Sequence, residues 1–434
     1  MEVLSEYLGT TYGALTIMES GPFLVLQCEN VPPPDSRPFL VADGIAVWLH
    51  LNDPLPVGLG FYGDFPNHDR TISLQEDLVA DLKPFRLPMA STLATMVKVH
   101  FPTANAISYL TCNLVIEFPG VDDEEWRAQL DKLPSAFSNS SVGILYVNGP
   151  LMLNSHKRLD HPRPGLLDGV YDDTDYVTHA GCFSPGAMIG SQEGNLTTAG
   201  IAVSKGEEIR LTVAIHAWDQ EMAEKPGILG SKNDFVVSQG QHDHVANVTS
   251  RMGKTDIGLA ELHDGIKFCQ TFLDAAITPQ RLLPFQNVNF RDVMVIDSFV
   301  TGTQRLRCLG VRLPISQSRP SRQAQVPGPP PDEPYVTVRQ GIYATSAPEI
   351  GSMPKIRDGV CGSALIRQET GMPKKVVVAE GEVAGFMGWS NVHNASIAPN
   401  ELLCFCETAD SLIEAGWEVA QLKESTGGDA GMEG

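Results

Sequence analysis

From about residue 178 onward, short apolar, β-branched runs recur between turns rich in Gly and polar residues. Ile201-Ala-Val203, Ile209-Arg-Leu-Thr-Val-Ala214, Val293-Met-Val-Ile296, Arg307-Cys-Leu-Gly-Val-Arg-Leu313, Tyr335-Val-Thr-Val-Arg339 and Val376-Val-Val378 are the clearest. Runs of this length and spacing are too short for core helices and fit the strands of an all-β barrel or sandwich. Val326-Pro-Gly-Pro-Pro-Pro331 interrupts them. Proline cannot occupy a central strand, so that segment reads as a surface loop or extended spacer.

Residues 1–150 have a different texture, mixed α and β. Phe23–Cys28, Ile45–His50, Asn113–Phe118 and Val142–Val147 read as strands. Asp122-Asp-Glu-Glu-Trp126 places acids where a helix dipole favours them, and Pro134 marks the stop. This half carries no catalytic motif. It holds 18 acids and 7 bases, whereas the other 284 residues hold 34 and 24. The change in charge density supports a boundary near 150. Residues 151–177, turn-rich and polar, read as a linker. Residues 178–407 form the all-β part. In the remainder, 408–434, Asp410–Leu422 reads as one helix, with Leu412, Ile413, Trp417 and Val419 as its apolar set, before a disordered tail.

The chain has 434 residues and is 42% hydrophobic, enough for a core without disulfide staples. A net charge of −21 disfavours generic nucleic-acid binding. No apolar run is long enough for a membrane span. The start lacks a basic, then apolar, leader, which points to the cytoplasm or the nucleus. The eight cysteines are widely and irregularly spaced, so free thiols are favoured over a disulfide framework. Cys404 and Cys406 read as buried strand residues. His242 and His244 offer metal spacing, with a polar loop as the competing reading. No metal and no cofactor is expected.

One stretch carries chemistry. In Arg357-Asp-Gly-Val-Cys361-Gly-Ser-Ala-Leu365 a Gly lies two residues before Cys361 and another follows it. Such glycines permit a tight turn whose N–H groups converge on one point, as a developing oxyanion requires. A thiol there is a candidate nucleophile that needs a nearby base. Two upstream segments supply partners: Leu211-Thr-Val-Ala-Ile-His216, and Thr255-Asp256-Ile-Gly-Leu-Ala-Glu-Leu262. The competing readings are a structural thiol for Cys361, a core histidine for His216 and a turn cap for Asp256. Asp243 is a second candidate carboxylate.

These segments resemble those of the chymotrypsin-like protease fold. Leu-Thr-Val-Ala-Ile-His216 is similar to the family's Thr-Ala-Ala-His. Thr-Asp256-Ile-Gly-Leu-Ala is similar to Asp-Ile-Ala-Leu-Leu. Gly359-Val-Cys361-Gly-Ser-Ala-Leu is similar to Gly-Asp-Ser-Gly-Gly-Pro-Leu, and Gly385-Phe-Met-Gly388-Trp389-Ser to Gly-Ile-Val-Ser-Trp-Gly. The order His, Asp, nucleophile is that of chymotrypsin itself. The resemblance implies a double β-barrel over 178–407 and peptide-bond hydrolysis through a thioester. It implies Cys361 as nucleophile (as in viral cysteine proteases of this fold), His216 as general base, and Asp256 as its orienting carboxylate. It further implies the N–H groups of Gly359 and Cys361 as oxyanion hole, with Lys355, Gly388 and Trp389 lining the substrate cleft. Lys355 would suit an acidic substrate residue, and Trp389 has a core role as its alternative. Val360 stands where zymogen-activated members carry an Asp, which argues against that activation route. The expected partner is a peptide or protein substrate. The alternative is an inactive protease-like scaffold that binds peptides or protein partners.

Overall fold

The computed structural model describes residues 10, 14–20, 23–28, 41–42, 45–51, 64, 66, 68–83, 86–110, 113–140, 142–149, 184–191, 195–218, 236–239, 243–272, 277–290, 292–299, 302–315, 339–345, 359–369, 381–390 and 403–422. The linker 151–177, the proline-rich loop, Lys355, His242, Val376–Val378 and the tail beyond 422 lie outside the described residues. Among the described residues no helix is long and apolar enough to cross a membrane.

The first four strands are β1 (Ala14–Ser20), β2 (Phe23–Cys28), β3 (Val41–Ala42) and β4 (Ile45–Leu51), in a sheet of order β1-β2-β4-β3. Next come β5 (Thr71–Ile72), α1 (Glu76–Asp81), α2 (Ala90–His100), β6 (Ala106–Leu110), β7 (Asn113–Phe118), α3 (Asp123–Leu130), β8 (Ala136–Phe137) and β9 (Gly143–Asn148). Asp122 caps α3, its Oδ1 accepting from the N–H of Glu124 at 3.1 Å and of Glu125 at 2.9 Å. Trp126 and Leu130 form the buried stripe of α3. The helix connects β7 to β9, which pair in parallel as a βαβ unit.

A second group comprises β10 (Met188–Gly190), β11 (Leu196–Thr198), β12 (Ala202–Lys205), β13 (Glu208–Ala214), β14 (Val236–Gln239), β15 (Asp243–Arg251) and β16 (Ile257–Leu262). Their order is β11-β10-β14-β15-β16-β13-β12. The two outer members, β11 and β12, are consecutive in the chain. The segment 196–205 thus pairs with β10 in its first part and with β13 in its second. Leu211, Val213, Val245, Val248 and Ala260 pack in the core of this sheet.

The third group is β17 (Arg281–Leu282), β18 (Val293–Ile296), β19 (Gln304–Pro314), β20 (Gln340–Thr345), β21 (Ala364–Glu369), β22 (Glu382–Ser390) and β23 (Leu403–Thr408). Six of them form a closed antiparallel barrel in the order β18-β21-β22-β23-β20-β19, with β19 returning to β18. The all-β expectation for this region is met by these sheets.

The strand β19 does two jobs on one edge. Residues 304–307 pair with β18 and close the barrel, while residues 310–314 pair with β6. The handover falls at Gly310, where a Cβ would lie 2.2 Å from the Tyr109 carbonyl oxygen. Only glycine tolerates that approach. The core is shared as well: Met96, Tyr109 and Tyr146 belong to one buried cluster with Met294, Val311 and Leu365. The change in charge near residue 150 therefore does not coincide with a break in the sheet or the core.

The single helix expected over Asp410–Leu422 is shorter. It runs as α4 (Asp410–Glu414), then β24 (Glu418–Val419) pairs with β12. Gly416 adopts φ +79°, and the N–H groups of Gly416 and Trp417 close back on the carbonyls of Ile413 and Leu412. This left-handed cap ends the helix and turns the chain into a strand. Leu412, Trp417 and Val419 are buried nonetheless.

Candidate functional site

The strand β13 ends at Ala214, its last four residues buried, and the chain then tightens into a 3₁₀ turn, Ile215–Trp218. Ile215 and Trp218 are buried, and the Trp218 indole N–H donates to the Val236 carbonyl at 3.1 Å. These anchors leave His216 partly exposed at the strand end. The antiparallel register pairs Ala214 with Ile257, so the residues just beyond, Ile215 and Asp256, also meet. The Ile215 N–H donates to the Asp256 carbonyl at 2.9 Å. The Asp256 carboxylate is thereby set beside His216: Oδ1 accepts from the His216 backbone N–H at 2.9 Å, and Oδ2 lies 2.5 Å from Nδ1. Forty residues of sequence separate these groups, and one strand pairing brings them together. Asp243 instead opens β15 opposite Gln239.

Cys361 sits in the turn before β21. Gly359 and Gly362 have φ of +96° and +89°. A Cβ on Gly362 would lie 2.4 Å from the Thr198 carbonyl oxygen, so φ and space both demand glycine. The turn is held from two sides. Toward its own barrel, Gly362 N–H donates to Met387 O at 2.7 Å and Met387 N–H to Ser363 O at 2.8 Å. From β11, Thr198 N–H donates to Cys361 O at 2.9 Å, and Thr197 Oγ1 donates to the same oxygen at 2.5 Å. Thr198 Oγ1 donates to Gly359 O at 2.6 Å. Val360 points into the core.

Cys361 acts on the His216 imidazole alongside Asp256. Burial alone would lower the imidazole pKa. The charges of Asp256 and Cys361 and the hydrogen bond to Asp256 outweigh it and hold the pKa well above the ordinary histidine value. Cys361 is partly exposed. Cys404 and Cys406 are buried β23 residues, and burial pushes both thiols up, away from thiolate chemistry. Among the described residues five cysteines are free thiols, namely Cys269, Cys308, Cys361, Cys404 and Cys406.

Among the described residues the N–H groups of Gly359 and Cys361 donate to no protein acceptor. Gly388 is buried on β22, where a Cβ would lie 3.2 Å from the Phe405 carbonyl oxygen. The side chain of Trp389 and all of Lys355 lie outside the described residues. Among the described residues no group of three or more His, Cys, Asp or Glu could hold a metal ion. Sequence reasoning missed Thr197 and Thr198. A Thr-Thr pair at a strand end carries no signal of its own, because its importance comes from partners more than 160 residues away.

No protein-family model matches the chain, and no curated protein matches it. Several solved protease structures are similar to about half of it. Thermobifida fusca protease A aligns with 13% identity over 54% of this chain and 97% of its own, at a TM-score of 0.33. A glutamic-acid-specific serine protease aligns with 13% identity over 55% of this chain and 100% of its own, at 0.33. Cellulomonas bogoriensis chymotrypsin aligns with 12% identity over 55% of this chain and 100% of its own, at 0.31.

Proposed function

We propose that this chain is a cysteine endopeptidase of chymotrypsin-like, double-barrel fold, with the site between the sheet around β13 and the closed barrel. The observation that carries the reading is His216 paired through Nδ1 with Asp256, together with the pull that Cys361 exerts on the same imidazole. A nucleophile, a base within reach of it and a carboxylate orienting that base are the parts that acyl transfer needs.

In this reading His216 takes the Cys361 proton. The thiolate attacks the scissile carbonyl carbon, and the oxygen gains a negative charge facing the N–H groups of Gly359 and Cys361. The imidazolium, stabilised by Asp256, returns its proton to the leaving amine as the C–N bond breaks and the thioester forms. Water then attacks the thioester. His216 accepts the water's proton and returns it to the sulfur as the acid product leaves. The substrate is a peptide or protein.

The test is the pH dependence of Cys361 alkylation by iodoacetamide, read by peptide mass spectrometry, alongside turnover of a peptide library. Fast labelling below pH 7 that collapses in His216→Ala, with turnover lost in Cys361→Ala, is the expected result. Slow labelling, equal in both proteins, removes the peptidase reading and leaves a peptide-binding scaffold.

A further inference from the structure

The two turns of the candidate site are tied to the same short stretch of chain, Asn195–Thr198, which leads into and forms β11. Asn195 Nδ2 donates to the Ala217 carbonyl at 3.0 Å. Ala217 follows His216 within the 3₁₀ turn that ends β13. Two residues after Asn195, Thr197 Oγ1 donates to the Cys361 carbonyl at 2.5 Å, and the Thr198 N–H donates to the same oxygen at 2.9 Å. One end of the stretch therefore grips the chain beside His216, and the other grips Cys361 itself. The two turns also meet directly. A Cβ on Gly362 would lie 3.3 Å from the nitrogen of Ala214, two residues before His216.

The stretch is held stiffly. β11 pairs with β10 in the register Met188–Thr198, Ile189–Thr197 and Gly190–Leu196, and the Ser191 N–H closes on the Asn195 carbonyl at 2.9 Å. A Cβ on Gly190 would lie 3.0 Å from that carbonyl oxygen, so the two chains cross closely. Thr197 and Thr198 are fully buried. Extended chain advances about 3.3 Å per residue, so Asn195 and Thr197 leave the backbone roughly 7 Å apart.

Asp256 fixes His216 within one sheet. Cys361 is carried by the turn before β21, in another. The His216–Asp256 pair alone does not set the gap between the two. Neither side-chain bond serves the β10–β11 ladder, which backbone groups make. At position 197 a valine would suit a buried strand and would need no partner for a hydroxyl. We propose that Asn195 and Thr197 are positioning residues, the two ends of one rigid spacer that sets how far the His216 turn stands from the Cys361 turn. The catalytic consequence rests on the peptidase reading; the spacing does not. The Thr198 hydroxyl, bonded to the Gly359 carbonyl, serves the other side of the Cys361 turn.

The experiment reads nuclear Overhauser contacts between the His216 ring protons and the Cys361 β-protons. It uses the full chain, deuterated except at histidine and cysteine. The rate of Cys361 alkylation by iodoacetamide at pH 6.5 is measured alongside. Asn195→Leu and Thr197→Val each remove one side-chain donor at nearly constant size. Each is expected to weaken or abolish the contact. Each should also slow alkylation roughly tenfold, the effect on the thiolate fraction of a one-unit rise in the thiol pKa. Thr197→Ser keeps the hydroxyl and is expected to retain both the contact and the rate. Wild-type contacts in folded Asn195→Leu and Thr197→Val overturn the proposal, and so does a contact missing from the wild type. Equal losses in Thr197→Ser and Thr197→Val overturn it as well, since the hydroxyl would then be irrelevant. Should Asn195→Leu not fold, the two Thr197 variants decide. An unreactive Cys361 whose contact with His216 is still lost in the variants sinks the peptidase reading and leaves the spacer standing.

Discussion

Asp256 holds His216 at two points, with Oδ1 on the backbone N–H at 2.9 Å and Oδ2 on Nδ1 at 2.5 Å. Main chain and ring are thereby locked to one carboxylate, which holds the ring proton on Nδ1. Asp256→Asn keeps an acceptor for the backbone N–H but offers the ring a neutral amide. The expected result is a folded protein whose His216 pKa falls toward the ordinary value. Turnover should drop by roughly 10²- to 10⁴-fold, the scale of losing an oriented general base. Rate–pH profiles of alkylation and turnover check both.

Stability should fall with pH in two adjoining windows. His216 has a folded pKa above its unfolded value near 6.5, so its contribution is complete below 6.5 and is lost as pH rises through the folded pKa. Glu407 is also raised, from 4.5 to about 7, but as an acid. The unfolded chain then binds fewer protons than the folded one between those values, so stability declines across that window. The difference is worth about 3–4 kcal/mol at most, at ~1.4 kcal/mol per unit. Urea denaturation at stepped pH should show the fall between pH 4.5 and 7 flattened in Glu407→Gln. The fall above pH 6.5 should be flattened in His216→Ala.

The His216–Asp256 pairing was legible because each residue sits in a short, typed context, a His ending a strand-like run and an Asp opening one, and Cys361 stands out between glycines. Their order along the chain was legible for the same reason. What supports them was not. Thr198 gains its role from Gly359 and Cys361, far along the chain, and nothing within several residues marks it. The C-terminal helix was overread because its apolar spacing at Leu412, Trp417 and Val419 suits burial in a helix and equally in a helix, turn and strand. Gly416 was the one local sign of the break. Charge density near residue 150 reports on surface composition, whereas the β6–β19 pairing is made by backbone groups that composition does not register.

Gly362→Ala should damage the turn outright. Its φ of +89° and a Cβ 2.4 Å from the Thr198 oxygen leave no room for a side chain. A cost of roughly 1–3 kcal/mol is expected, visible as a lowered Tm. The Cys361 alkylation rate should fall with it, since the thiol is carried on the same turn.

Thr198→Val offers a finer separation. Valine keeps the volume but loses the 2.6 Å bond from Oγ1 to the Gly359 carbonyl, while the backbone bond from Thr198 N–H to Cys361 remains. The stability cost is about 1–2 kcal/mol for a buried carbonyl left unpaired. The Gly359 peptide belongs to the turn proposed to hold the oxyanion. Iodoacetamide alkylation forms no oxyanion, so its rate should stay near wild type while peptide turnover falls. Equal losses in both assays would show that Thr198 only holds the thiol.

The strongest mechanical test concerns residues before 150. Strand β19 spans 11 residues, and its second half has β6 as its partner on the side where its first half has β18. Removing residues 1–150 deletes β6, strips Glu117 from the buried Arg312 and opens one face of the shared core. Breaking a buried ion pair by losing one partner costs about 3–5 kcal/mol, and the bared β19 edge is a template for association. A chain of 151–434 is therefore expected to be aggregated or unfolded by circular dichroism and size-exclusion chromatography. A chain beginning at Asp64 keeps β6, β7, β9 and the Trp126 indole bond to Asp64 at 2.6 Å, and should retain wild-type Cys361 labelling. A monomeric 151–434 chain with cooperative unfolding and full Cys361 reactivity would show that the N-terminal strands are an accessory to the barrel and no part of its foundation.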